Sequence, residues 1–207
     1  MNIIIDYGMG NGGSILNMIR HVGSSARISS EINEIESAKT LILPGVGAFD
    51  NAIQRLNDSG IADVIKRRVL NDDVRLFGIC LGMQLLFESS EEGRLAGLGL
   101  LRGRALRFAF HDESQGSLKV PHMGWNTVRI KSCHSAFSGL DETPRFYFVH
   151  SYYVECADSS DVLATTEYGL EFACAVAKGR VFATQFHPEK SHKYGMQLFK
   201  NYLRETK

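Results

Sequence analysis

Apolar and polar positions along the chain fall into two regimes. In the first half, short apolar runs alternate with stretches of helical spacing. Asn2–Ile5 is a strand-like run that Asp6 stops. Ser14 is placed to cap a helix carrying Ile15, Met18, Ile19 and Val22 on one face, closed by Gly23. A short strand near Ala26–Ile28 follows, and then Thr40–Leu43 runs into Pro44-Gly45-Val46-Gly47. Phe49–Val69 keeps helical spacing through Ile53, Leu56, Ile61, Val64 and Ile65, with Gly60 as a break. Val74–Ile79 reads as a strand, and Met83–Phe87 as the start of a helix. Strands alternating with helices predict a parallel sheet covered on both faces.

In the second half the β-like segments crowd together: Ala105–Phe110, Trp125–Ile130, Phe146–His150, Tyr153–Cys156, Val162–Tyr168, Phe172–Ala177 and Val181–Phe186. Lys178-Gly179 sits between the last two as a hairpin turn, and Ser191–Arg204 closes as a helix with Met196, Phe199 and Leu203 facing inward. The expected architecture is a single α/β domain over residues 1–207. Its central sheet is mostly parallel and flanked by helices, with an antiparallel β extension in the second half.

Composition narrows the function. The 207 residues are 44% hydrophobic, and a chain of this length buries about 70% of its unfolded surface without disulfides or metal. Its 23 basic residues balance 23 acidic ones, which argues against a surface built to neutralise the phosphates of nucleic acid. Apolar runs are short, and the opening one is stopped by Asp6 after three isoleucines, against the ~7–15 residues of a secretory leader or the ~20 of a membrane span. Cys80, Cys133, Cys156 and Cys174 lack paired short spacing, the usage of a reduced, cytoplasmic chain. No metal or cofactor is expected.

Two patterns mimic known sites. Gly8-Met9-Gly10-Asn11-Gly12-Gly13 fits G-x-G-x-x-G between a strand and a helix, with Glu31 near the position of a ribose-binding acid. Taken alone it allows a non-catalytic nucleotide-binding module, or simply a tight turn. His187-Pro188-Glu189 imitates the H-x-E of zinc deaminases, but no cysteine follows to complete a metal site.

Gly78-Ile79-Cys80-Leu81-Gly82 is more specific. It stands at a strand–helix junction and is the cysteine version of the G-x-S-x-G nucleophile elbow. The sharp turn points the sulfur out of the sheet, and a helix N-terminus favours thiolate over thiol. Cys133, Cys156 and Cys174 lack this setting. A cysteine nucleophile needs a base, and the base an orienting group. Of seven histidines, His21, His111 and His134 read as solvated. His187 ends an apolar strand, and Glu189 follows two residues on. Pro44-Gly45-Val46-Gly47, also just past a strand, can aim backbone amides at a developing oxyanion beside the amide of Leu81. Together these parts define acyl transfer through a thioester.

Gly78-Ile79-Cys80-Leu81-Gly82-Met83-Gln84, with His187-Pro188-Glu189, resembles the triad (class I) glutamine amidotransferases. Four further segments resemble the glutaminase subunits of imidazole glycerol phosphate synthases: Asp6–Asn11, Leu43–Phe49, Pro121-His122-Met123-Gly124-Trp125-Asn126 and His150-Ser151-Tyr152-Tyr153. The likeness spans residues 2–203 and absorbs the glycine-rich opening. It implies that Cys80 attacks the side-chain amide of L-glutamine, His187 shuttles the proton to departing ammonia and Glu189 orients His187. Val46 and Leu81 would supply the oxyanion amides, while Gly45, Gly47, Gln84, Ser151 and Tyr152 would hold the substrate. Ammonia would pass to a cyclase subunit of (β/α)8 barrel type that forms imidazole glycerol phosphate in histidine biosynthesis. Pro121, Met123, Trp125 and Lys190 would face that partner, although Met123 and Trp125 equally suit a core. The chain departs from the pattern at Gly12-Gly13-Ser14-Ile15, where histidine-pathway members more often show Leu-Arg-Ser-Val. Paralogues with similar openings feed ammonia to a sugar amidotransferase in surface-polysaccharide synthesis, so the acceptor stays open between the two.

Overall fold

The computed structural model of the protein describes residues 1–71, 74–110 and 118–204. The first half alternates as its pattern predicts: β1 (Asn2–Ile5), α1 (Gly12–His21), β2 (Arg27–Ser29), α2 (Ile32–Ser37), β3 (Thr40–Gly45), α3 (Phe49–Asp58), α4 (Ile61–Leu70) and β4 (Arg75–Cys80). A single helical turn, α5 (Leu81–Gln84), follows. The second half contributes β5 (Ser89–Ser90), β6 (Gly103–Arg107), β7 (His122–Thr127), β8 (Arg129–Ile130), β9 (Arg145–His150), β10 (Tyr152–Cys156), β11 (Val162–Glu167), β12 (Glu171–Lys178), β13 (Val181–Thr184) and α6 (His192–Arg204).

Among the described residues, eleven strands form one sheet, ordered β2-β1-β3-β4-β13-β12-β10-β6-β5, with β11 on β12 and β8 on β11. From β2 to β13 every pairing is parallel; β13 to β12 and onward to β6 it is antiparallel. β7 and β9 make a separate antiparallel ribbon. The expected architecture, a mostly parallel sheet with an antiparallel extension, is what is observed.

The parallel strands are buried on both faces, so successive residues serve opposite cores. Ile3, Ile5, Leu41, Leu43 and Leu76 pack with Ile35, Ile53, Leu56, Ile61 and Ile65 from α2, α3 and α4. Ile4, Ile42, Phe77 and Ile79 pack with Ile15, Ile19, Leu198, Phe199 and Tyr202 from α1 and α6. Each such side chain contributes roughly 1.5–3 kcal/mol by leaving water.

Four local expectations are corrected. The cap of α1 is Asn11, whose side chain accepts from the Ser14 N–H; Ser14 lies inside the helix. The helix after the elbow ends at Gln84 because the carbonyls of Leu85, Leu86 and Phe87 accept from Leu98, Gly99, Leu100 and Leu101 instead. The segment 125–130 is split: β7 pairs with β9, β8 with β11, and buried Val128 separates them. On α6 the inward face is Leu198, Phe199, Tyr202 and Leu203, with Met196 only half-buried.

Candidate active site

β4 delivers Cys80 to the carboxyl end of the sheet, beside the ends of β3 and β13. Cys80 has φ 56° and ψ −112°, a left-handed conformation that costs a non-glycine residue of order 1–3 kcal/mol. The surroundings hold it there. A Cβ at Gly82 would lie 1.9 Å from the Leu43 carbonyl oxygen, and one at Gly78 would lie 2.8 Å from the Gly82 oxygen. Only glycines on both sides let strand and turn approach this closely. The Cys80 thiol donates to the Val149 carbonyl (3.8 Å), and its sulfur accepts from Gln185 Nε2 (3.7 Å). The helix that was to favour thiolate is a single turn of four residues, so it carries few of the aligned peptides that make a dipole.

His187 stands three residues beyond the end of β13, its N–H bonded to the Tyr147 carbonyl (2.9 Å) and its own carbonyl accepting from Ser191 Oγ (2.6 Å). Its Nδ1 donates to Glu189 Oε1 at 2.7 Å, and both side chains are almost fully buried. This fixes the tautomer and turns Nε2, buried and without a well-formed hydrogen bond, to the acid–base exchange. Burial opposes the imidazolium, but interaction with Cys80 and with Glu189 overrides it and lifts the His187 pKa to about 10. Both interactions favour the imidazolium over the neutral ring.

A cavity of about 380 Å³ opens onto these groups. Cys80, Leu81, Gln84, Val46, Gly47, Ser151, Tyr152, His187, Pro121 and Lys190 all line it. Gly45 lies behind the wall, where a Cβ would meet the Gly82 nitrogen at 2.7 Å, and Glu189 lies behind His187. Met123 and Trp125 do not line the cavity and are exposed at 62% and 39%; the core alternative for Met123 and Trp125 does not hold. Trp125 stacks on His192, with centroids 5.4 Å apart, and Lys190 Nζ lies 5.8 Å above the Tyr147 ring.

The other cysteines are differently placed. Cys133 is exposed, while burial pushes the Cys156 thiol up to about 12 and the Cys174 thiol well above its ordinary value. His21 is exposed as expected, but His134 is half-buried and stacks on Phe182 at 5.1 Å; His111 lies outside the described residues.

Three features escaped the sequence. Glu92 lines the cavity as its one carboxylate among the described residues and accepts from the Phe49 N–H (2.9 Å). Burial raises its pKa, offset in part by that N–H. Gln185 touches the sulfur. His122 and His150, opposite each other on β7 and β9, form a buried pair. His150 Nδ1 must donate to the Tyr152 carbonyl (2.7 Å), so its Nε2 accepts from His122 Nδ1 (2.9 Å), and His122 Nε2 accepts from Asn126 Nδ2 (3.2 Å). No local signal marks this pair, because it depends on a pairing between distant strands.

Burial lowers the pKa of His122 to about 4 and, with smaller contributions from neighbouring groups, that of His150 to about 3. An unfolded histidine near 6.5 takes up a proton that the native state refuses. These groups therefore favour the fold fully above about pH 6.5, and the benefit is lost as pH falls through about 4 for His122 and about 3 for His150. Thermal melts should show declining stability across that window, with a shallower decline in His122→Gln. An unchanged slope in that variant would assign the acid sensitivity elsewhere.

The chain is similar in sequence and in fold to known proteins. The family model "Glutamine amidotransferase class-I" matches residues 3–206. The chain is 48% identical over 206 residues to "Imidazole glycerol phosphate synthase subunit HisH 2" of Methanococcus maripaludis, covering all of both chains. It is 49% identical over 203 residues to the protein of the same name from Pseudomonas aeruginosa, covering 98% of each. Its fold is similar to a solved "Structure of PurLQS from Thermotoga maritima", with TM-score 0.75 at 18% identity over 100% of this chain and 98% of that one. With the family's pattern running along nearly its whole length and relatives almost half identical, the chain belongs to the class-I glutamine amidotransferases.

Proposed function

We propose that the protein is the glutaminase subunit of an imidazole glycerol phosphate synthase, acting in the cytoplasm as a single domain over residues 1–207. The observation that carries the reading is the strained Cys80 elbow opening into one cavity with the His187–Glu189 pair, in a chain nearly half identical to synthase subunits. The names of those relatives favour a cyclase partner over a sugar amidotransferase. Four free thiols are in keeping with a reducing compartment.

In this reading Glu92 receives the α-ammonium of L-glutamine, and Gln84, Gly45, Gly47, Ser151 and Tyr152 hold the rest of the substrate. The Cys80 thiolate attacks the side-chain carbonyl carbon, and the amides of Val46 and Leu81 bind the resulting oxyanion. The C–N bond then breaks as His187 Nε2 gives its proton to the leaving nitrogen, producing ammonia and a glutamyl thioester. Water attacks the thioester, passes a proton to His187 and releases glutamate with the thiolate restored. Exposed Pro121, Met123, Trp125 and Lys190 face the partner, which we take to be a (β/α)8 barrel receiving the ammonia.

A glutamine analogue bearing a diazo-ketone tests the assignment. It should alkylate Cys80 and spare Cys133, Cys156 and Cys174 in peptide mapping. Modification of Cys133 at a comparable rate would sink it.

A further inference from the structure

We infer that Gln185 belongs to the reacting centre, as the hydrogen-bond donor that stabilises the Cys80 sulfur whenever it carries negative charge. The inference rests on Cys80 being the nucleophile of the glutaminase proposed above.

Gln185 is 0% exposed. It directly follows β13, and its backbone N–H is tied to the Cys174 carbonyl at 2.9 Å, so the side chain starts from a fixed point. Donor and acceptor roles then decide which end of its amide meets the sulfur. The Tyr152 carbonyl can only accept, so the Gln84 atom 3.0 Å from it is the nitrogen Nε2. The same nitrogen lies 3.0 Å from the Gln185 amide. It donates there too, which requires Gln185 Oε1 at that contact. Gln185 Nε2 is left facing Cys80 Sγ at 3.7 Å. Neither amide can be reversed without setting donor against donor or carbonyl against carbonyl in a buried site.

The chemistry calls for such a group. Besides Gln185 the sulfur meets the Val149 carbonyl, an acceptor that suits the thiol and repels the anion. His187 also interacts with it but is occupied as acid and base, and the Tyr7 hydroxyl nearby donates to the Pro44 carbonyl instead. The one-turn helix α5 supplies little dipole. An amide N–H favours the anion and, unlike an ammonium or imidazolium, cannot hand it a proton. It acts twice in the cycle. It stabilises the thiolate from which the attack starts. When the hydrolytic intermediate collapses, with the water oxygen on the carbonyl carbon and one water proton on His187, the C–S bond breaks and its electron pair moves to Sγ, where the Gln185 N–H receives it.

The test is the pH dependence of Cys80 alkylation by iodoacetamide in the folded chain, followed at the Cys80 peptide. Gln185→Met keeps the volume and removes the donor. Gln185→Glu keeps the shape and the acceptor for Gln84 but sets a carboxylate against the sulfur. The alkylation midpoint should rise by about one pH unit in Gln185→Met, the scale of a hydrogen bond to a charged group, and further in Gln185→Glu. A purely structural role would not order the two variants in this way. A wild-type midpoint in folded Gln185→Met, a lowered one in Gln185→Glu, or failure of both variants to fold by circular dichroism overturns the proposal. Glutamine hydrolysis by Cys80→Ala is measured alongside. If it persists while the alkylation shift is present, the donor assignment stands and the glutaminase reading fails.

Discussion

Cys80→Ala should abolish glutamine-dependent synthesis by the complex while ammonia-dependent synthesis proceeds at the wild-type rate. The expected loss with glutamine is about 10⁵-fold or more, the scale on which removing a nucleophile acts. Oxyanion donors and a base have no acyl transfer to assist when the attacking atom is gone. The variant should still fold, because alanine keeps the Cβ and the elbow is imposed by its neighbours: Gly78 and Gly82 remain, and so do the close approaches they permit. In the proposed division of labour the acceptor site lies on the partner, so ammonia supplied from solution at high pH should bypass the defect. Paired assays, one with glutamine and one with ammonium salt, decide the matter. Equal loss in both with assembly intact would refute the division of labour.

His187→Asn should lower glutamine turnover by roughly 10⁴–10⁶-fold, and Glu189→Gln by about 10–10² less than that, since an orienting group contributes less than the base it orients. The geometry gives the reason. Asparagine removes the nitrogen that reaches the sulfur and the leaving group. Glutamine at 189 still offers an oxygen to His187 Nδ1, whose bond is 2.7 Å in the native protein. What it removes is the charge that, with Cys80, offsets the burial of the imidazolium. The pH profile of Glu189→Gln should accordingly break at lower pH on its basic limb, as protonated His187 is lost sooner. Wild-type turnover by the His187 variant, or a greater loss in Glu189→Gln, contradicts the assigned roles.

Strands buried on both faces carry short apolar runs, such as Leu41–Leu43 and Leu76–Ile79, and their succession with helices made the sheet readable. The elbow was readable because its constraint is local: two glycines around one cysteine. Where tertiary hydrogen bonds overrule local preference, the reading failed. Leu85, Leu86 and Phe87 look helical, yet their carbonyls are taken by residues 98–101. The same reason hides Gln185, Glu92 and the His122–His150 pair. Each is an ordinary polar residue in its own neighbourhood and gains meaning only from a partner far along the chain. Gln185 and Cys80 are 105 residues apart.

That separation bears on how the chain comes to be made. β4 is flanked in the sheet by β3, available early, and by β13, encoded near the other end. During synthesis the nucleophile's strand has an open edge until nearly all the rest of the protein has emerged, and closing so long a loop is slow. An exposed edge of apolar residues such as Leu76, Phe77 and Ile79 invites pairing with other chains. Until β13 emerges the nascent chain carries an unpaired apolar edge, and it still lacks the strand that leads to its base. The same order of events keeps unfinished chains from consuming glutamine.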